Sequence, residues 1–200
     1  MKAVYIVNNS KVAKTLIDPM RRAILDLLRQ KPMTQAQMAD ELGLTSASLN
    51  YHIKILRSRK LVVVAKREYE RHGIKQIFFL AAAYLFVYDL DSLPKSIARY
   101  FSPISLERAR SAISLLIINN RHSIDQTPNL SNSFAEILSR QLVKVAKAYV
   151  EKQVNHAQES VIYEIYTKAM SELLDMNKSS LLGKQIALTL HNNESSLYVI

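Results

Sequence analysis

The chain contains no cysteine, which excludes disulfide bridges and thiolate metal centres together. Its three glycines, Gly43, Gly73 and Gly183, are too dispersed for a glycine-rich phosphate cradle. No run of 18 apolar residues exists. The nearest stretches, around Leu80 to Tyr88 and Ala112 to Ile118, are too short to span a bilayer, so no membrane partner is expected. The opening MKAVYIVNNSK lacks a secretion signal's long apolar region and small-residue cleavage site, so a cytoplasmic location is expected. The five histidines, His52, His72, His122, His156 and His191, show none of the spacings typical of zinc or iron sites. No serine nucleophile elbow stands out, and acid pairs such as Asp40–Glu41 and Asp89 with Asp91 read as solvated charges. The expectation is therefore no enzyme, no cofactor and no metal.

Negative charge is also scarce, but only at one end. Residues 1–80 hold 15 Lys and Arg against 6 Asp and Glu, while residues 81–200 hold 12 against 11. Nearly all of the net +10 thus lies in the first 80 residues. A basic excess confined to one region is the footprint of a polyanion-binding module, because a merely solubilising surface mixes its signs more evenly. With 48% hydrophobic residues the chain can bury a sizeable core and is not disordered.

Within the basic region, TQAQMADELGLTSASLNYHIKILRSRKL (residues 34–61) reads as two short amphipathic helices about a Gly-containing turn. Thr34 and Gln37 form a capping box, Met38, Ala39 and Leu42 make the first apolar stripe, and Gly43 ends it. Thr45 caps the second helix. Leu49, Ile53 and Leu56 recur at helical spacing there, leaving Ser46, Ala47, Asn50, Tyr51 and Lys54 on the other face. Such a layout lays a recognition helix in the DNA major groove. Asn50 and Tyr51 suit base edges, whereas Ser46, Ser48, His52 and Lys54 suit phosphates, with His52 equally readable as a local structural hydrogen-bonder.

Upstream, Ala3 to Val7 alternates like a strand and Asn8 to Ser10 offers a turn before a brief helix through Lys14 and Leu16. Asp18-Pro19 then opens a helix to Gln30 that buries Ile24, Leu27 and Leu28. Downstream, Val62 to Val64 with Tyr69, and Ile77 to Phe79, flank Arg71-His72-Gly73 as a hairpin. Lys66, Arg67, Arg71, His72 and Lys75 place cations on that hairpin, where a wing touches the DNA backbone or where charge simply keeps it soluble.

In the remainder, Ala81 to Asp91 reads equally as helix or strand. A short helix over Lys95 to Tyr100 is expected, then one from a Ser105 cap to about Asn119, then a loop to Ser133. Ser133 and Glu136 form another capping box, and Phe134, Leu138, Leu142, Val145 and Tyr149 step by three or four like a seam packed along a partner. Polar residues from Asn155 to Ser160 break the pattern before Val161, Ile165, Ala169 and Leu173 resume it, which favours two helices over one. The seam is assigned to a homodimer interface, with an intramolecular helical hairpin as the alternative. The tail reads either as two strands about Asn192-Asn193 or, over Leu181 to Leu190, as a helical extension, and Tyr84, Phe86, Tyr88, Tyr100 and Phe101 are either core or the lining of a ligand cavity.

DPMRRAILDLL, then MTQAQMADELGLTSASLNYHIKIL, then LVVV and a charged hairpin resemble the ArsR-type winged helix-turn-helix repressors, especially archaeal relatives with an extended C-terminal region. The resemblance covers residues 10–82. It implies a homodimeric DNA-binding regulator whose second helix enters the major groove. It departs from the family where Lys60 replaces the Gly that commonly precedes the wing's Leu-Val, and where the cysteines of metal-sensing members are missing. The expected architecture is mainly α with a small β component: residues 1–82 a winged helix-turn-helix domain, residues 83–200 a long-helix dimerisation region with room for an unknown small-molecule effector. The expected function is a sequence-specific transcriptional regulator binding double-stranded DNA at a palindrome. The alternative is a winged module of the transcription machinery that binds protein instead.

Overall fold

Segments with β-branched or aromatic alternation form strands, and segments with apolar residues every third or fourth position form helices. The computed structural model describes residues 1–69, 73, 75–120, 127–156 and 158–176. Strand β1 (Lys2–Val7) leads into helices α1 (Ser10–Ile17), α2 (Pro19–Gln30), α3 (Gln35–Leu42) and α4 (Ser46–Ser58). Strands β2 (Val62–Tyr69), β3 (Lys75–Ala81) and β4 (Ala83–Tyr88) follow, then helices α5 (Lys95–Ala98), α6 (Ser102–Asn120), α7 (Thr127–Ala146) and α8 (Ser160–Met176). The architecture is mainly α with a small β component.

Strands β2 and β3 pair antiparallel, with an irregularity between Val64 and Lys66. The undecided stretch after Ala81 is resolved by a partner distant in sequence: β4 pairs with β1, in parallel, Val4 opposite Leu85 and Val7 opposite Tyr88. No local pattern reveals such a pairing, because a strand buried on both sides reads as a continuous apolar run.

The β1–β4 ribbon is the wall between two cores. Ala3, Val4, Leu85 and Val87 pack with α6, α7 and α8 through Ala109, Leu138, Leu142 and Ile165. Val7 joins the other core with Ile24, Leu28, Leu49, Ile53, Leu56 and Phe79, and Tyr5, Phe86 and Tyr88 pack against that side. Strand residues point alternately to opposite faces, so each strand serves both cores. Residue 82 is accordingly not a clean boundary, since β1 crosses into the second core.

The seam expected at a dimer interface lies inside one chain. Phe134, Leu138, Leu142, Val145 and Tyr149 are all buried, from 0% to 7% exposed, because α7 is a central helix covered by α6, α8, β1 and β4. Periodicity gives the apolar face of a helix but not which chain covers it. Ser133 also lies within α7 and caps nothing; the helix begins at Thr127, with Pro128 in its first turn where a missing N–H costs little. Likewise α6 starts at Ser102, ahead of Ser105, with Pro103 in its first turn. In α2 the buried residues are Ile24, Leu25 and Leu28, while Leu27 is only half-buried. The α7–α8 break falls where the polar residues forecast it. The tail strands expected after Leu181 lie outside the described residues.

Candidate nucleic-acid interface

Four local devices fix the geometry of α4. Thr34 accepts from the Gln37 backbone N–H at 3.3 Å while the Gln37 side chain accepts from the Thr34 N–H at 2.9 Å, closing the capping box of α3. Gly43 then takes φ 62°, ψ 33°, a left-handed conformation that a residue with a Cβ adopts at a cost. Next, the Thr45 hydroxyl accepts from the Ser48 N–H at 3.2 Å and starts α4. At the far end Lys60 N–H donates to Arg57 C=O at 2.9 Å and Leu61 N–H to Leu56 C=O at 3.0 Å. That pair of bonds is a Schellman motif, with fully buried Leu56 and Leu61 beneath it. Its left-handed position is held by Lys60 at φ 57°, which explains why glycine is the commoner choice there.

The wing is fastened to this unit. Met33 and Phe79 exchange backbone hydrogen bonds of 3.0 and 2.8 Å, and Ala82 N–H donates to Leu61 C=O at 2.9 Å. Arg57 lies over the Phe79 ring, 5.6 Å from its centre.

With Leu49, Ile53 and Leu56 buried, the helical screw leaves Ser46, Ala47, Asn50, Tyr51 and Lys54 exposed. Tyr51 stands out most on this helix, at 60% exposure, with only the edge of His52 against its ring among the described residues. The Asn50 side-chain oxygen accepts from Gln35 Nε2 at 3.2 Å. One acceptor lone pair and the amide donors of Asn50 stay available, and Gln35 joins it as a second amide beside it. Gln35, Asn50, Lys54, Arg57, Lys60 and Val63 line an open groove between α4 and the wing. Gln35 and Arg57 are not singled out by the sequence, and Lys60 is noted there only as standing in a glycine's place. Arg57 was nonetheless legible, since 50, 54 and 57 are spaced along one side of a helix.

On the wing, Lys66 pairs with Glu68 at 2.6 Å and sits 4.5 Å from the centre of the Phe78 ring, so part of its charge is answered within the protein. Arg67 and Lys75 are exposed and have no ion pair among the described residues. Arg71 and His72 lie outside the described residues.

His52 is not brought to the free face. Its side chain is 14% exposed and points at the α1–α2 corner, with Nδ1 3.9 Å from Asp18 Oδ2. One step round the helix from Tyr51 carries it back towards the core, and Ser48 is half-buried on that same flank. Asp18 meanwhile caps α2 by accepting from Met20 and Arg21 N–H at 2.9 and 3.2 Å. Arg21 donates to Thr15 C=O, and Arg22 to Leu16 and Ile17 C=O, at 2.7–3.1 Å. These half-buried arginines close the carbonyl end of α1, where cations are favoured.

The aromatic residues considered for a cavity are mostly core. Tyr88 stacks on Phe101 with ring centres 4.1 Å apart, and burial raises the Tyr88 phenol above its ordinary range. Phe86 lies 5.7 Å from Tyr5, while Tyr100 is exposed. An apolar groove does open between α6 and α8, lined by Ile104, Arg108, Leu138, Tyr166 and Met170, but none of those aromatics reaches it. Among the described residues no group of acids and histidines could hold a metal, and no helix is long and apolar enough to cross a membrane.

A family profile described as a helix-turn-helix domain matches residues 16–65, from the end of α1 into β2. Within that match, α3 and α4 are the helix pair about the Gly43 turn, and the β2–β3 hairpin follows them. A stretch of 53 residues, 26% of the chain, is 34% identical to the transcriptional repressor SdpR of Bacillus subtilis (strain 168). The match spans 59% of that protein's length. The likeness to SdpR thus concerns about a quarter of the chain, and the profile match stops at residue 65, ahead of α6, α7 and α8.

Proposed function

We propose that the protein is a sequence-specific DNA-binding transcriptional regulator that inserts α4 into the major groove. The observation that carries this reading is the free face of α4, where Ala47, Asn50, Tyr51 and Lys54 stay exposed although the opposite stripe is fully buried. An exposed ring and an amide set between cations match the needs of base-edge and phosphate contact. The +9 balance of the first 80 residues supplies attraction to the duplex. A relative named as a transcriptional repressor supports the same role.

Two copies act on an inverted repeat in this reading. One recognition helix contacts only a few base pairs, and a pair in successive major grooves, about 34–36 Å apart, multiplies the specificity. The α7 seam is spent inside the chain and does not join them. A cytoplasmic location is part of the same proposal, and no helix among the described residues is long and apolar enough to cross a membrane.

Selection from random genomic fragments tests the proposal. Enrichment of one sequence is expected, with Asn50→Ala losing about 1–3 kcal/mol on it and relaxing preference at one base position. Arg67→Ala should instead weaken all duplexes alike and lower the salt slope by about 0.9. Failure to enrich any sequence would favour a protein-binding winged module.

A further inference from the structure

The recognition helix has two flanks. On one, Asn50 and Arg57 face the wing across the groove already described. On the other, His52 faces Asp18, and beyond Asp18 lies a shallow depression lined by Lys14, Pro19, Ser96, Ile97 and Tyr100. Successive residues of α4 turn by about 100°, so Asn50 and His52 project to opposite sides of the face that carries Tyr51. A helix seated in the major groove has a phosphate backbone on each side. The wing serves one of them.

The corner on the second flank is built from α1 and from α5, a segment outside the matched domain. Lys14 is exposed on α1, and Lys95 and Arg99, four residues apart, are exposed on and just after α5. Arg99 lies 5.2 Å from the centre of the Tyr100 ring and donates to its hydroxyl at 3.4 Å, and Tyr100 itself is 49% exposed. Among the described residues none of the three cations has an ion-pair partner. Two of the acids on these elements are answered elsewhere, Asp18 by Arg21 and the α2 cap and Asp91 by Arg140 at 2.8 Å, while Asp89 accepts from the Ser92 hydroxyl and forms no ion pair with the three cations. Lys14 and Tyr100 share this depression beside the recognition helix, Arg99 stands against the phenol ring and Lys95 lies one turn before it, so three cations without an ion pair among the described residues gather at a corner that favours an anion.

We infer that Lys14, Lys95, Arg99 and Tyr100 form a second DNA-backbone contact, so that phosphates on the side of α4 away from the wing are held by a part of the chain outside the matched domain. The inference rests on the DNA-binding reading. It makes the α1–α5 corner part of the footprint, fixing the tilt of α4 in the groove from both sides.

The absence of native cysteine provides a direct test. Full-length protein carrying Ser96→Cys, labelled with an iron chelate, should cleave the selected duplex at sugars on the flank away from the wing. Val63→Cys, labelled in the same way, should cleave on the wing side. The double variant Lys14→Gln/Arg99→Gln should lower the salt slope by about two units and weaken specific and random duplexes alike, on the order of tenfold for each contact at about 0.1 M salt. The preferred sequence should not change. Normal affinity and slope in the double variant, with no cleavage from position 96, would overturn the inference and leave the DNA-binding reading intact. A variant of unchanged slope but altered mass in solution would also overturn it, marking the corner as a contact between copies. If the unsubstituted protein enriches no sequence and shows no salt-dependent duplex binding, the DNA-binding reading itself fails, and the inference with it.

Discussion

Helices α4 and α7 carry the same signal, an apolar residue every third or fourth position, and are put to opposite uses. In α4 the stripe Leu49, Ile53 and Leu56 faces the core, while the opposite side is left bare beside a groove. In α7 burial spreads beyond the stripe, to Ala135, Gln141, Val143 and Ala146, because neighbours cover it from several directions. The function of a helix therefore follows from the face its neighbours leave free, and the apolar face shows only that the helix is packed. A free face rich in amide, phenol and cation speaks for contact with a polyanion. A helix covered on most sides speaks for a scaffold.

The largest expected effect comes from attacking the scaffold. Leu142 is 3% exposed within the second core, and Leu142→Ala should cost about 2–5 kcal/mol, the range for truncating a packed leucine with partial collapse of the cavity. Chemical denaturation measures it. The comparison also requires that the folded variant keep the mass of the parent in solution, since the residue is covered by its own chain. A variant that changed mass while losing little stability would return the seam to an interface between copies.

Tyr51→Ala should do the reverse. Exposed and touching little beyond the edge of His52, whose ring centre lies 5.5 Å away, Tyr51 should leave stability within about 0.5 kcal/mol of the parent. Affinity for the selected duplex should fall by about 1–3 kcal/mol. Equilibrium binding and thermal melting on the same sample separate the two. A fall in melting temperature without a loss of affinity would erase the contrast between the helices.

Most of the winged domain was legible because its signals are local. Thr34 with Gln37, Gly43, Thr45 and Asp18-Pro19 each satisfy or end a helix within four residues, and the structure uses every one of them in that way. Strand β1 was legible at Ala3 to Val7, but β4 and its pairing with β1 were not, since β4 finds its partner some eighty residues upstream and is apolar on two sides. The capping box at Ser133 misled for a related reason: Ser and Glu at that spacing cap a helix only where one begins, and Thr127-Pro128 begins it earlier. At the site, Asn50, Tyr51 and Lys54 followed from periodicity. Gln35 did not, because its place depends on how α3 meets α4. His52 lies one residue from the exposed Tyr51 and turns inward to Asp18, a distinction that periodicity at single-residue resolution marks only weakly.

Lys60 offers a gain of stability where the other substitutions cost something. Its φ of 57° is imposed by the Schellman motif that ends α4, and an L-residue pays about 1 kcal/mol there that glycine does not. Lys60→Gly should raise the unfolding free energy by about that amount, offset in part by the greater freedom of glycine in the unfolded chain. The same variant removes a cation from the groove between α4 and the wing. Duplex binding should therefore weaken while the protein grows more stable, an opposition that a purely structural lysine would not produce.

The smallest effect lies just beyond α7, where the Tyr149 hydroxyl donates to Glu164 Oε1 at 2.9 Å and Lys152 Nζ donates to Oε2 at 3.1 Å. The tyrosine hydrogen bond, and after it the lysine hydrogen bond and charge, hold the Glu164 carboxyl below its ordinary value. A carboxyl depressed in the folded state contributes stability above its unfolded pKa and loses that contribution as pH falls through the folded one. Tyr149→Phe removes the larger cause and leaves Lys152 in place, so the carboxyl should titrate closer to the ordinary glutamate range. Because Glu164 is exposed, the change should appear as a shift in its own side-chain carbon resonance during an acid titration, with little movement of the unfolding midpoint at neutral pH. Duplex affinity should stay at the parental value, since this network sits at the end of the covered helix and touches nothing on the free face of α4. A loss of binding in Tyr149→Phe would mean that the two helices are energetically coupled through the β1–β4 wall, and their division of labour would then have to be given up.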